Sequence, residues 1–495
     1  MQNEQIKPKK EKIPRTKISQ QDPQERVKNF SEVELGYSEE EALKETSRCL
    51  QCKKPKCADG CPVEIDIKSF IAYISEKQFE KALEKIREKN SMPGICGRVC
   101  PQEDQCEKEC IVGIKNEPVA IGKLERFAAD YIIKNPQTIS VNSLPDNPDD
   151  AGSSDTENNL LQKKGSLSQI NKIKAAVIGA GPAGLTCAGE LAKLGYSVTL
   201  FEALHSAGGV LVYGIPEFRL PKSIVKGEVD YVESLGVNIK LNSIIGKIYT
   251  IDELIENGYK SIFISTGAGL PYFLSIPGEN LNGVYSANEY LTRVNLMKAY
   301  LFPKWDTPIK KADIVSVVGG GNVALDSART AKRLGAKKVY IIYRRSEVEM
   351  PGRIEEIHHA VEEGIEMKFL TNPVGIKGKD GWVNKISCIK MELGESDDSG
   401  RRRPIAIPDS EYDIDTDVVV IAIGQGPNPV LTQTSPDISL NKRGNIVADA
   451  VGKTNKKGVF AGGDIVTGAA TVILAMGAGK VAAKAMDEYM KTGSW

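Results

Sequence analysis

Apolar positions recur with helical spacing in two adjacent stretches, Ile67, Phe70, Ile71 and Ile74, then Phe79, Ala82, Leu83 and Ile86. They predict a small helical domain over 31–134, wrapped around cysteine-bearing loops. After residue 170 the pattern becomes short β-branched runs, each closed by glycines and followed by a helical run. Residues 174–200 read strand, Gly-rich turn, helix, strand, and 313–343 repeat that order about 140 residues later. The prediction is an α/β chain with two Rossmann-like dinucleotide-binding domains. The apolar run 418–423 and the Gly-rich segment 459–490 are expected to return and complete the first of them. Residues 1–30, rich in Lys, Glu, Gln and Pro, predict a mobile or surface-draped arm, where function is not expected to begin. Residues 135–170, dominated by Asn, Asp, Ser, Pro, Gln and Gly, predict a flexible linker. The domain plan is therefore arm 1–30, helical domain 31–134, linker 135–170, first nucleotide domain 171–285, second 286–417, and the returning part of the first 418–495.

Composition narrows the partners. The 495 residues carry 65 basic and 65 acidic side chains, so no global field draws the chain to nucleic acid or to an anionic membrane. Recognition must be local. The longest uncharged stretch, 261–278, is broken by Gly267, Gly269, Pro271 and Pro277 and reads as core and turns. The N-terminal residues have no apolar run of the secretory type, so a cytoplasmic protein is expected.

The first glycine motif, Gly179-Ala180-Gly181-Pro182-Ala183-Gly184, follows a β-branched strand and opens a helical run. Its glycines allow a tight turn and let backbone amides approach a pyrophosphate at a helix N-terminus. Glu202, 23 residues after Gly179, is placed for a ribose hydroxyl. The second motif, Gly319-Gly320-Gly321-Asn322-Val323-Ala324, is looser. Its informative feature lies at the end of the next strand, where Arg344-Arg345 replace an acid and suit a 2′-phosphate, which points to NADPH over NADH. Arg353 joins them; the alternative is that all three form a solvated basic face.

Ten cysteines are present, eight of them between Cys49 and Cys110. The first run is Cys49, Cys52, Cys57, Cys61; the second is Cys96, Cys100, Cys106, Cys110. A reducing compartment favours metal or cluster ligation over disulfides. Two 4Fe-4S clusters are favoured over two zinc ions, because each run carries a Cys-Pro step and redox-inert zinc has no task beside two nucleotide folds. Cys187 and Cys388 are expected as buried structural thiols. His205, His358 and His359 are too scattered for a metal site, and the adjacent pair is expected on a helix surface.

With these motifs the chain resembles the small (β) subunit of NADPH-dependent glutamate synthase across nearly its whole length. The resemblance is carried by Gln21-Asp22-Pro23, Arg26, Asn29-Phe30, Arg48-Cys49-Leu50-Gln51-Cys52, Gly60-Cys61-Pro62-Val63, Gly208-Gly209, Tyr213-Gly214-Ile215-Pro216, Phe218-Arg219-Leu220-Pro221-Lys222 and Gly462-Gly463-Asp464. The module is also similar to the N-terminal half of dihydropyrimidine dehydrogenase and to the large subunit of NADH-ferredoxin:NADP oxidoreductases. The resemblance implies an adrenodoxin-reductase-like flavoprotein behind a helical double-cluster iron-sulfur domain, with FAD, NADPH and two 4Fe-4S clusters. It implies FAD contacts from Gly209, Arg219, Gly463 and Asp464. The helix beginning near Thr471 is expected to aim its positive end at the flavin. It implies crossed ligation, with Cys49, Cys52, Cys57 and Cys110 on one cluster and Cys61, Cys100 and Cys106 on the other. Glu125 or Cys96 completes the second set. The expected partners are a glutamate synthase large subunit or a ferredoxin. The alternatives are a free-standing NADPH reductase of small acceptors (ferric iron, disulfides, quinones, nitro compounds), a ferredoxin:NADP oxidoreductase subunit, or a zinc-bearing scaffold.

Overall fold

The computed structural model describes residues 13–134, 173–397 and 399–495; the expected linker lies outside them. The chain divides into two compact units, one holding residues 13–19 and 34–134, the other 20–33 together with 173–495.

The first unit is helical. Ile67–Ser75 and Phe79–Arg87 bury the two apolar stripes read from the sequence. Between them Lys77 adopts a left-handed conformation (φ 58°) and turns the chain. Helix Pro93–Val99 lies directly against Ile121–Lys134: a Cβ at Gly97 would stand 2.6 Å from the Arg126 backbone nitrogen. Only glycine permits that approach.

The second unit holds two five-stranded parallel sheets. The first has the order Val459–Ala461, Tyr259–Ile264, Lys174–Ile178, Ser197–Phe201, Asn238–Lys240. The second has the order Glu366–Lys368, Lys338–Ile342, Ile314–Val318, Val418–Ile421, Val284–Ser286. Segment 459–490 thus returns to the first sheet as expected, but Val418–Ile421 does not. It pairs with Ile314–Val318 and Val284–Ser286, in the middle of the second sheet. All four of its residues are buried, and a fully apolar strand carries no period that tells one parallel sheet from another. The second domain therefore begins near residue 284 and ends beyond 421. It also carries an antiparallel extension, Thr371–Lys379, Trp382–Ser396 and Arg402–Ala406, with Tyr412–Asp415 on the other edge of Trp382–Ser396.

Pro23–Arg26 is a helical turn capped by Asp22, and Arg26 is 1% exposed. The arm's charged residue is held in a buried network, which its polar composition concealed. His359, expected on a surface, is buried, whereas its neighbour His358 is exposed. Among the described residues no helix is long and apolar enough to cross a membrane.

Candidate functional site

At the first glycine loop, Lys174–Ile178 ends in Gly179 (φ 100°), and helix Pro182–Lys193 starts with Gly181 as its N-cap. A Cβ at Gly184 would sit 1.9 Å from the Gly179 carbonyl oxygen, so the third glycine is a packing requirement. A Cβ at Gly181 would meet nothing within 4 Å, so the loop presents bare backbone to open space. With the first-turn amides of the helix lacking intrahelical acceptors, the loop fits a pyrophosphate. Gly209 (φ 54°) lies beside it, a Cβ there being 2.9 Å from the Gly181 Cα. Glu202 accepts hydrogen bonds from Ala180 N at 2.7 Å and Leu204 N at 2.8 Å. Burial pushes its carboxyl up and those amides pull it back. Its role begins with bracing the loop, and a carboxylate retains further lone pairs for a ribose hydroxyl. A Cβ at Gly463 would be 3.1 Å from Ala183 Cβ, which brings Asp464 to this loop. Burial pushes Asp464 up to about 6. Thr471 caps helix Val472–Thr492, accepting from Leu474 N at 3.4 Å.

The second loop repeats the design. A Cβ at Gly319 (φ 146°) would fall 2.3 Å from the Ala422 carbonyl oxygen, and one at Gly320 2.6 Å from the Tyr343 ring. Gly321 caps helix Asn322–Arg333, which begins with Asn322 and Val323; the Asn322 Oδ1 accepts from Arg353 N at 2.9 Å. The three arginines then part company. Arg344 is exposed. Arg345 is 5% exposed and donates Nε to the Arg402 carbonyl at 2.7 Å and Nη2 to Asp397 at 2.6 Å. Arg402 in turn donates to Glu349 at 2.5 Å. Two reciprocal ion pairs thus bolt the tip of the antiparallel extension to the 344–351 loop. Arg353 is buried and pairs with Glu355 at 2.9 Å. A solvated basic face describes Arg344 alone.

Arg219 also has partners that the sequence did not suggest. Its Nη1 lies 2.8 Å from both carboxylate oxygens of Asp326, and its Nε 3.1 Å from Glu356. The network continues: Arg329 reaches Glu356 and Glu363, Arg333 and Arg26 close on Glu363 at 2.6 and 2.8 Å, and the Arg333 guanidinium stacks 3.8 Å from the centroid of the Phe218 ring. The Phe218-Arg219 segment, the arm and the helix after the second loop share one buried charge cluster.

In the first unit the cysteines regroup across their runs. Cys49, Cys52, Cys57 and Cys110 line one cavity, with Ile67, Ile71 and Val119 as part of its apolar wall. Burial, then Cys110 and Cys49, push the Cys57 thiol up to about 12. Cys61, Cys96, Cys100 and Cys106 gather around Glu125, which acts electrostatically on all four. Glu125 is buried and accepts from Asn90 Nδ2 at 2.6 Å, while the Asn90 Oδ1 faces the Cys96 sulfur at 3.7 Å. Glu125 and Cys96 thus share the Asn90 side chain within the second group. All ten cysteines are free. The first quartet surrounds a cavity, which fits a multi-atom group. Thiolates crowded in a low dielectric repel, and cationic iron removes that penalty. Gln51 and Asn90 are site residues that sequence reasoning missed; a single polar residue carries no periodic signal.

Comparison with known proteins agrees with this geometry. Residues 26–137 match the family described as dihydropyrimidine dehydrogenase domain II, 4Fe-4S cluster. Residues 173–485 match the pyridine nucleotide-disulphide oxidoreductase family. The chain is 40% identical to the NADP(+)-dependent formate dehydrogenase subunit beta of Moorella thermoacetica, covering 88% of this chain but 60% of that protein. It is 34% identical to the glutamate synthase [NADPH] small chain of Halomonas elongata, covering 96% and 97%. Mycobacterium tuberculosis FprA, solved in complex with NADPH, shares the fold with a TM-score of 0.55 at 20% identity, covering 65% of this chain and 85% of FprA. The chain belongs to the pyridine nucleotide-disulphide oxidoreductase family, as an oxidoreductase of the glutamate synthase small-chain type with a 4Fe-4S domain ahead of its two nucleotide domains.

Proposed function

We propose that this chain takes electrons from NADPH at the Gly319 loop, holds FAD at the Gly179 loop, and delivers electrons through the cysteine groups to a separate protein acceptor. The cofactors supply hydride acceptance and one-electron release; the protein supplies binding, orientation and electrostatics. Arg344 is the phosphate-facing guanidinium, while Arg345 positions the loop by holding Asp397 and the Arg402 carbonyl. Asp464 and Glu202 border the flavin nucleotide. Cys49, Cys52, Cys57 and Cys110 hold one cluster. Cys61, Cys100 and Cys106 hold the other, and Glu125 competes with Cys96 for its last position.

The carrying observation is the cavity that draws Cys110 to the first cysteine run. A chain whose task ended at the flavin would not need a set of thiols assembled from both ends of a 62-residue segment. The test is the iron, sulfide and flavin content of protein purified without oxygen. Two clusters and one FAD are expected. Cys110→Ala should remove one cluster and spare the other together with the flavin. Loss of both, or of neither, contradicts the crossed grouping.

A glutamate synthase large subunit is the acceptor suggested by the Halomonas relative, and a formate dehydrogenase assembly by the Moorella relative. A small-molecule acceptor, the alternative, requires no protein surface around the cysteine groups.

A further inference from the structure

Segment 20–33 belongs to the second unit, although residues 13–19 and 34–134 on either side of it belong to the first. Within the second unit it touches both nucleotide domains. Val33 N donates to the Phe218 carbonyl of the first domain at 2.9 Å. Arg26 binds Glu362 and Glu363 of the second domain, each at 2.8 Å, and donates to the His359 carbonyl at 3.3 Å. Phe30 serves both: its ring stacks on Tyr300 of the second domain at 4.2 Å between centroids and meets Phe218 of the first at 6.3 Å.

The loop that this segment grips is braced as one piece. Lys222 Nζ donates to the carbonyls of Leu211, Ile215 and Leu220, and Gly209 at the start of the loop abuts Gly181 of the first dinucleotide loop. From the second domain, Asn295 at the end of helix Ala287–Asn295 is 4% exposed and donates Nδ2 to the Tyr213 and Gly214 carbonyls at 3.2 Å. Asp326 and Glu356 of the same domain hold Arg219. Away from this joint the domains are linked thinly. The chain crosses between the two sheets through 265–283 and 422–429, and the crossings pair over Leu270–Pro271 and Gln425–Gly426, two residues each. Gly267 (φ 69°) and Gly424 (φ 115°) lie in these crossings, and a Cβ at Gly267 or Gly269 would meet nothing within 4 Å. So short a pairing beside left-handed glycines fixes no angle, and domains joined in this way swing unless a buried contact stops them.

We propose, on the reading that FAD sits at the Gly179 loop and NADPH at the Gly319 loop, that segment 20–33 is a positioning strap for hydride transfer. It pins loop 209–222 to the second domain and so sets the angle between the two nucleotide seats. The hydride that leaves NADPH oxidises it by two electrons and reduces FAD by two, and a misplacement of about 1 Å costs such a step up to about a hundredfold in rate. Arg26 and Phe30 lie in neither dinucleotide loop; they act through Glu363, Tyr300 and Phe218.

The test is stopped-flow bleaching of the flavin by NADPH in the oxidised holoprotein without oxygen, together with hydrogen–deuterium exchange of the two crossings. Arg26→Ala should lower the limiting bleaching rate by about tenfold or more while the half-saturating NADPH concentration stays within about twofold. Phe30→Ala, which leaves the charge cluster intact, should lower the limiting rate by a smaller factor. Arg26→Lys still reaches Glu363 and should restore most of it. Exchange across 265–271 and 422–426 should quicken in both alanine variants while the sheet strands keep their protection. A limiting rate unchanged in both, a loss confined to NADPH affinity, or faster exchange throughout the nucleotide domains with loss of flavin overturns the strap; the last result makes the segment a folding element only. Should Arg26→Ala not fold, Phe30→Ala and Arg26→Lys decide between the same outcomes. Native protein that lacks FAD or is not bleached by NADPH overturns the nucleotide reading and the strap with it, whereas full flavin and normal bleaching in every variant overturns the strap alone.

Discussion

Gln51 holds a left-handed backbone (φ 49°) and donates its Nε2 to the Cys49 sulfur at 3.5 Å. Hydrogen bonds to cluster sulfurs raise the reduction potential by stabilising the extra negative charge. Gln51→Asn tolerates the left-handed conformation but is one carbon too short to reach the sulfur. The bond contributes about 1 kcal/mol, so the potential should fall by about 40 mV, measured by a redox titration followed by EPR. At the second group, Glu125→Ala and Cys96→Ala separate the two competitors: the true ligand's loss should remove or convert one cluster, and the other variant should keep both, read from iron content. The sequence exposed the thiols because cysteine is rare and its spacing is short. It did not expose Asn90, whose role depends on segments meeting in space, or Gln51, whose bond depends on a local left-handed turn.

The elements of the second unit were legible wherever glycine was sterically required, as at Gly179, Gly184, Gly319 and Gly320. They were less legible where a short apolar strand fitted either sheet, as at Val418–Ile421. The antiparallel extension left no motif, yet it changes the meaning of Arg344-Arg345. Arg344→Ala should weaken NADPH by about tenfold to a hundredfold, the value of a charged hydrogen bond, and leave NADH little changed. Asp397→Asn, which loosens Arg345, should weaken both dinucleotides. Equal losses for the two nucleotides in Arg344→Ala would remove its phosphate role.

The buried charge cluster makes the unit acid-sensitive. Burial pushes Glu356 up, but the Arg219 and Arg329 guanidinium groups outweigh it and hold the carboxyl at about 2. Glu363 is lower still, its burial penalty outweighed by Arg333 and Arg329. Burial lowers His359 to about 4. Each folded value lies below the unfolded one, so their stabilisation is complete above about pH 6.5. It is lost as pH falls, first through His359 and then, below about pH 4.5, through the carboxylates. Thermal unfolding measured against pH should show this descent. Glu363→Ala, which leaves Arg333 without its ion pair and Arg26 and Arg329 with only Glu362 and Glu356, should cost about 3–5 kcal/mol.

At the scale of the whole molecule, a 4Fe-4S domain and a two-domain nucleotide reductase share one chain, and neither composition nor net charge identifies the acceptor. The deciding comparison is NADPH-driven reduction of rubredoxin by the holoprotein and by Cys57→Ala, each first checked for flavin content and for flavin bleaching by NADPH. Cys57 lines the first cysteine cavity and lies in neither nucleotide loop. The variant should keep its flavin and its bleaching rate while losing most of its carrier reduction. Undiminished carrier reduction in a variant shown to lack the first cluster would contradict an electron outlet through the cysteines.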